Sequence, residues 1–313
     1  MWVLLVCLMV LHTAPCEAAP VSCTDDTGTV ITLEAPARRI IALYGAFNEI
    51  LVEMGQSGRI VARTDADEAI PALAGLPAIG THMRPNPELV AGLAPDLILQ
   101  MEGRREAATS VDALRALGIP VAVFRVASFG DLFSVLHRMG TLTGAEQDAA
   151  ALEARWTARL DTVAGAIARQ PHDTGTADGK DHTQHPPRVV FEVRYPNLLA
   201  AGADSIVNDI ITRAGGVNAV QQPGRVVRLN EEELLRMAPD AYVYQYGPMN
   251  PTPVAPDQRP HFTALDAIRD GRVLKVDEHA FSRPGPRSVE AVEQLARFLH
   301  PAAFDTNTTT ARN

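Results

Sequence analysis

Cysteine is scarce in this chain, with three in 313 residues, at Cys7, Cys16 and Cys23. The first two lie in an N-terminal stretch shaped like a secretory signal. Once that stretch is removed Cys23 stands alone, which excludes an internal disulfide and any thiolate metal cluster. Positive charge is also in deficit. Lys plus Arg number 28 against 37 Asp plus Glu, a net of −9 at pH 7, which argues against nucleic acid or an anionic membrane surface as the main partner. The N-terminal apolar run, residues 1–11, is too short to span a bilayer. Catalytic signatures are missing as well: there is no Gly-x-Ser-x-Gly, no His-Glu-x-x-His, no P-loop, and no Gly-x-Gly-x-x-Gly after a strand. The expectation is a protein that is not an enzyme.

What is present points to an exported two-domain chain. Residues 1–19 read as a cleaved signal, because the apolar run gives way to small residues and Ala18 or Ala19 suits cleavage; the usual basic start is missing. Cys16 is a poor lipid-attachment site, since Pro15 precedes it directly and Thr13 stands where Leu is usual. The length suits about two domains. At 46% hydrophobic and 21% charged, the chain can bury a sizeable core without disulfides.

The segment Glu88–Leu99 returns 145 residues later as Glu233–Tyr244, with Glu, Leu, Ala, Pro and Asp in common. In each copy an acidic helix start leads to a short apolar turn, Ala-Pro-Asp stops it, and buried-strand residues follow. Proline stops the helix by lacking an N–H and by disfavouring helix at the residue before it. The chain therefore carries one α/β unit twice.

Periodicity places strands at Thr29–Leu33, Arg39–Leu43, Arg59–Ala62, Asp96–Gln100 and Val121–Phe124, with helices at Ala46–Met54, from Glu88, and at Ala107–Leu117. This is an N-terminal α/β lobe over 24–144. From 145 to 170, Leu152, Trp156, Leu160, Val163 and Ile167 recur at helical spacing, predicting one connecting helix of about 35 Å. Residues 171–187 are polar, with His172, His182 and His185 among Gly and Pro, and read as a surface loop. A second α/β lobe fills 188–301, with a disordered tail over 302–313. The fold class is α/β: two Rossmann-like lobes, one long helix joining them, and a ligand cleft between.

Ligand residues in such lobes belong on loops at the carboxyl ends of strands. Tyr44, Arg104, Arg125, Tyr195 and Tyr246 lie on such loops, as does His279; Arg84 lies on the loop before the duplicated helix, and Arg283 in the corner Arg283-Pro-Gly-Pro-Arg287. Arginine forks suit carboxylate or catecholate oxygens, and aromatic rings suit a flat macrocycle or catechol. His82 and His279 are the candidates for direct metal ligation, although neither has a second ligand at i+3 or i+4.

The ordered motifs Asn48-Glu49-Ile-Leu, Leu76-Pro-x-Ile-Gly80, Asn86-Pro-Glu88, Ala94-Pro-Asp-Leu-Ile98, Ala214-Gly-Gly-Val-Asn218 and Arg283-Pro-Gly-Pro-Arg287 resemble those of the helical-backbone periplasmic binding proteins for iron-siderophore, haem and cobalamin uptake. The resemblance runs from about Thr24 to His300. It implies a monomeric periplasmic substrate-binding component of an ABC importer, partnered by a permease and its ATPase. It implies no resident cofactor, and an iron chelate, haem or corrinoid as cargo. It further implies that an exposed carboxylate on each lobe docks onto permease arginines, at positions matching Glu49 and Asp209 here.

Overall fold

The computed structural model describes residues 19–103, 105–169 and 185–304. The signal segment 1–18, Arg104, residues 170–184 with His172 and His182, and the tail from 305 lie outside the described residues.

The chain opens with a hairpin, β1 (Val21–Thr24) and β2 (Val30–Leu33). Asp25 closes its turn by accepting the backbone N–H groups of Thr27 and Thr29, each at 2.9 Å. Then come β3 (Ile40–Ala42), α1 (Gly45–Glu53), the small hairpin β4 (Gly80–Thr81) and β5 (Arg84–Pro85), α2 (Pro87–Gly92), β6 (Leu97–Met101), α3 (Arg105–Ala116) and β7 (Val121–Phe124). Strands β3, β6 and β7 form a parallel sheet in that order. Every residue in the three strands is buried. Their unbroken apolar runs match a sheet covered on both faces.

The predicted strand Arg59–Ala62 is instead a 3-10 turn followed by a single bridge from Ile60 to Ile40. A helix absent from the sequence reading, α4 (Phe129–Thr143), fills the space before the connector. Ser128 and Asp131 form its capping box, and Gly144 at φ 63° ends it.

The connector is α5 (Glu146–Ala168), with Leu152, Trp156, Leu160 and Val163 on its buried face. Burying each of those aliphatic side chains contributes roughly 1.5–3 kcal/mol. The helix packs against α4 on one side, and polar contacts fasten it to both lobes. Trp156 Nε1 donates to Glu53 at 3.3 Å, and Arg159 grips Glu293 through two bonds of 2.8 and 2.9 Å.

The second lobe holds β8 (Arg188–Arg194), β9 (Leu199–Ala201), α6 (Ile206–Arg213), β10 (Val217–Asn218), β11 (Val226–Arg228), α7 (Glu231–Met237), β12 (Ala241–Tyr246), α8 (Asp266–Arg269), β13 (Val273–Asp277), α9 (Glu278–Phe281), α10 (Arg287–Leu299) and α11 (Pro301–Phe304). Its sheet runs β11-β9-β8-β12-β13, with β10 beside β8. Strands β8, β10, β12 and β13 are parallel, and β9 and β11 form an antiparallel flank. Under it lies a wholly buried ion pair: the Arg259 fork grips Glu192, and the Tyr242 hydroxyl donates to the same carboxylate.

The structure corrects the register of the duplication. Asn86 and Asn230 cap α2 and α7, and Ala94 and Ala238 leave them in left-handed conformation at φ 44° and 42°. Both intervals are 144 residues, not 145, so Glu88 corresponds to Glu232, and buried Val90 to buried Leu234. The repeated aspartates also share a task. Asp96 accepts the N–H groups of Arg38 and Arg39 at 2.7 and 2.9 Å, and Asp240 accepts that of Arg188 at 2.8 Å. Each clamps the start of the neighbouring parallel strand.

Candidate ligand cleft

Two segments meet where the lobes face each other. From the first lobe, β3 leads through Leu43 to Tyr44, which stands at the N-terminal end of α1. From the second, β13 delivers α9 and then the corner Arg283–Arg287. Between them lies a cavity of about 360 Å³, lined by Glu49, Ala66 and Ile70 on one side and by His279, Arg283 and Arg287 on the other. That volume is within the range of small-molecule sites.

Arg283 is the centre of this arrangement. Its Nη2 lies 3.2 Å from Asp67 Oδ1 and 4.0 Å from Glu49, and its guanidinium lies 5.7 Å from the Tyr44 ring centroid. Burial lifts the Glu49 carboxyl above the usual range, against the pull of Arg283 and Arg287. Glu278, which accepts the Met249 N–H at 2.7 Å, is raised by burial too. Burial, reinforced by Arg283, lowers both His82 and His279 and favours their neutral imidazoles. The His82 ring stands edge-on to Tyr44 at 6.4 Å.

Burial pushes the Tyr44 phenol up to about 12. An ultraviolet titration of wild type against Tyr44→Phe should therefore show one tyrosine ionising near pH 12. Its stabilising effect is complete below pH 10, the ordinary value, and is lost as pH rises through 12. A difference spectrum saturating near pH 10 would contradict this placement.

Of the sequence candidates, Tyr44, His279 and Arg283 come together here, with His82 at their edge. The others do not. Arg84 is exposed on β5, and Arg125 is turned to solvent beside Glu102 at 3.8 Å. Tyr195 lies within the second lobe, under Arg259 at 4.1 Å, and Tyr246 sits 44% exposed beside Lys275. Arg104 is outside the described residues. Asp67 was missed, because a lone aspartate in a 3-10 turn carries no motif.

Glu49 and Asp209 are not the exposed carboxylates that the resemblance implied. Glu49 faces Arg283 inside the cleft, its side chain 21% exposed. Asp209 accepts the Phe129 N–H at 2.7 Å, capping α4 of the other lobe, and pairs with Arg213 at 3.2 Å. By contrast Glu88 and Glu232 are exposed, and neither makes an ion pair with any described residue.

A cleft lined by two guanidiniums, one neutral imidazole and the Glu49 carboxyl, with no nucleophile beside a base among the described residues, is suited to holding a ligand. The model of the family described as periplasmic binding protein matches residues 40–280. The chain belongs to this family. Among its relatives, an uncharacterised ABC transporter substrate-binding lipoprotein of Bacillus subtilis is 26% identical over 291 residues, covering 92% of this chain and 88% of the relative. A cobalamin-binding protein of Halobacterium salinarum is 28% identical over 292 residues, covering 90% and 74%. A periplasmic haem-binding protein of Pseudomonas aeruginosa superimposes with a TM-score of 0.70 at 24% identity, covering 85% of this chain and 94% of that one; at that identity the likeness speaks for the fold. This chain is thus a periplasmic binding protein, and its family is one of binders rather than enzymes.

Proposed function

We propose that this periplasmic binding protein captures an iron chelate, haem or a corrinoid between its lobes and delivers it to an ABC permease driven by its ATPase. The observation that carries the reading is the inter-lobe cavity with Arg283, His279 and Glu49 on its walls and Tyr44 beside it. A guanidinium fork is matched to carboxylate or catecholate edges, and an aromatic ring to a flat ligand. Relatives named for cobalamin and haem support the same cargo class. The α5 connector, hydrogen-bonded to the first lobe and ion-paired to the second, favours a largely preformed cleft with small closure. Export through the N-terminal segment and a location in the periplasm complete the reading.

Docking on the permease is assigned to Glu88 and Glu232. The support is their exposure, their equivalence in the duplication and their freedom from ion pairs among the described residues. Two like carboxylates, one per lobe, can set register against arginines and speed encounter.

The test is a thermal-shift and absorbance screen against haem, cyanocobalamin, ferric catecholate and hydroxamate chelates, and free zinc and manganese. One chelate at about a hundred times its Kd should add about 2.7 kcal/mol and raise the melting point by about 5–10 °C. A response to free ions alone would replace chelate capture with direct ligation by His82 and His279. Silence across the panel would overturn the cargo class.

A further inference from the structure

We propose that Arg283 is a clamp between the lobes that sets the width of the cleft, with Asp67 as its anchored counter-charge and Gly45 as its socket. The inference rests on the arrangement of these three residues and holds whatever the cargo.

Asp67 is buried, with none of its side chain exposed. One carboxylate oxygen is saturated from within its own lobe: Asn48 Nδ2 donates at 3.0 Å, Thr64 Oγ1 at 2.7 Å and the Thr64 N–H at 3.2 Å. The other oxygen faces the opposite lobe and receives Arg283 at 3.2 Å. The carboxylate is therefore fixed before the arginine arrives, and among the described residues only the second lobe supplies its cation. A hydrogen bond of this length weakens steeply with stretching. Any rotation of the lobes about α5 must break it and leave a buried charge without a counter-ion.

Gly45 explains how the fork fits. A methyl group there would overlap both the Arg283 guanidinium and the Asp67 carboxylate. Glycine is among the poorest helix formers, and α1 begins at this residue. Its place is explained by the arginine rather than by the helix. Gly285 completes the approach: a Cβ at this position would lie 2.8 Å from that of Ala46, so the corner after Arg283 rests directly on α1. The start of a helix repels a cation, so Asp67 and Glu49 hold Arg283 there against the helix dipole.

The test measures lobe separation in the mature chain without cargo. Spin labels on Glu88→Cys and Glu232→Cys, in a Cys23→Ser background, report the inter-lobe distance by pulsed electron resonance. The parent should give one narrow distribution. Arg283→Ala and Asp67→Asn should broaden it roughly twofold, and Gly45→Ala should do the same. In the Arg283→Ala background, Gly45→Ala should add much less, since its methyl group then meets the Asp67 carboxylate but no fork. An unchanged distribution in Gly45→Ala, the mildest of these variants, overturns the clamp whether or not Arg283→Ala folds. So does a Gly45→Ala effect that persists at full size without Arg283.

Discussion

Arg259→Ala should lower the unfolding free energy by about 3–5 kcal/mol, the largest effect expected of any single substitution in the second lobe. The Arg259 and Glu192 side chains are both fully buried, and the fork meets both carboxylate oxygens. Arg259 also donates through Nε to the Val254 carbonyl at 3.0 Å and lies 4.1 Å from the Tyr195 ring centroid and 5.0 Å from that of Phe262. Truncation would remove this packing and strand the Glu192 charge, with the Tyr242 hydroxyl as its remaining side-chain partner. The stranded charge is the costly part, because water cannot reach it. Glu192→Gln in the Arg259→Ala background should therefore recover about 1 kcal/mol or more of the loss. Urea unfolding of the four proteins would measure the cycle. A cost below about 1 kcal/mol for Arg259→Ala would mean that the site relaxes enough to hydrate the glutamate.

The double variant Glu88→Ala, Glu232→Ala should cut cargo uptake by roughly tenfold or more while leaving cargo affinity and melting temperature unchanged. Both carboxylates are exposed and lie outside the residues that line the inter-lobe cavity, so their removal has no route to the ligand. Long-range attraction between them and permease arginines would act on encounter, and the deficit should shrink as salt rises. Asp209→Ala should behave differently. It removes the carboxylate that caps Phe129 across the lobes and should destabilise the fold by about 0.5–2 kcal/mol. Uptake assays in cells alongside melting curves separate the cases. Normal uptake in the Glu88, Glu232 double variant would remove these two residues from the docking surface.

The parallel strands β3, β6 and β7 and the connecting helix α5 were visible in the sequence because burial imposes a period that one-dimensional reading detects: unbroken apolar runs in the strands, and Leu152, Trp156, Leu160 and Val163 at helical spacing. Helix α4 was not, although Ser128, Asp131 and Gly144 mark its two ends. Arg59–Ala62 has strand-like residues but makes only one bridge, since a 3-10 turn at Ser57–Arg59 uses the chain before a ladder can form.

The site divides along the same line. Tyr44, His279 and Arg283 were legible because strand ends and rigid corners are local features, and local features set which residues reach the rim of a lobe. Arg125, Tyr195 and Tyr246 share that signal and are turned elsewhere, since strand position does not say where a side chain points. The sequence alone determined the duplicated α/β unit, the single connector and the family, all of which follow from short-range pattern and order. Only the tertiary structure decided that Glu49 faces the cleft, that Asp209 caps the opposite lobe, and that Asp67 receives Arg283 from 216 residues away. Pairings at that separation depend on how two packed bodies meet, and no local propensity records them.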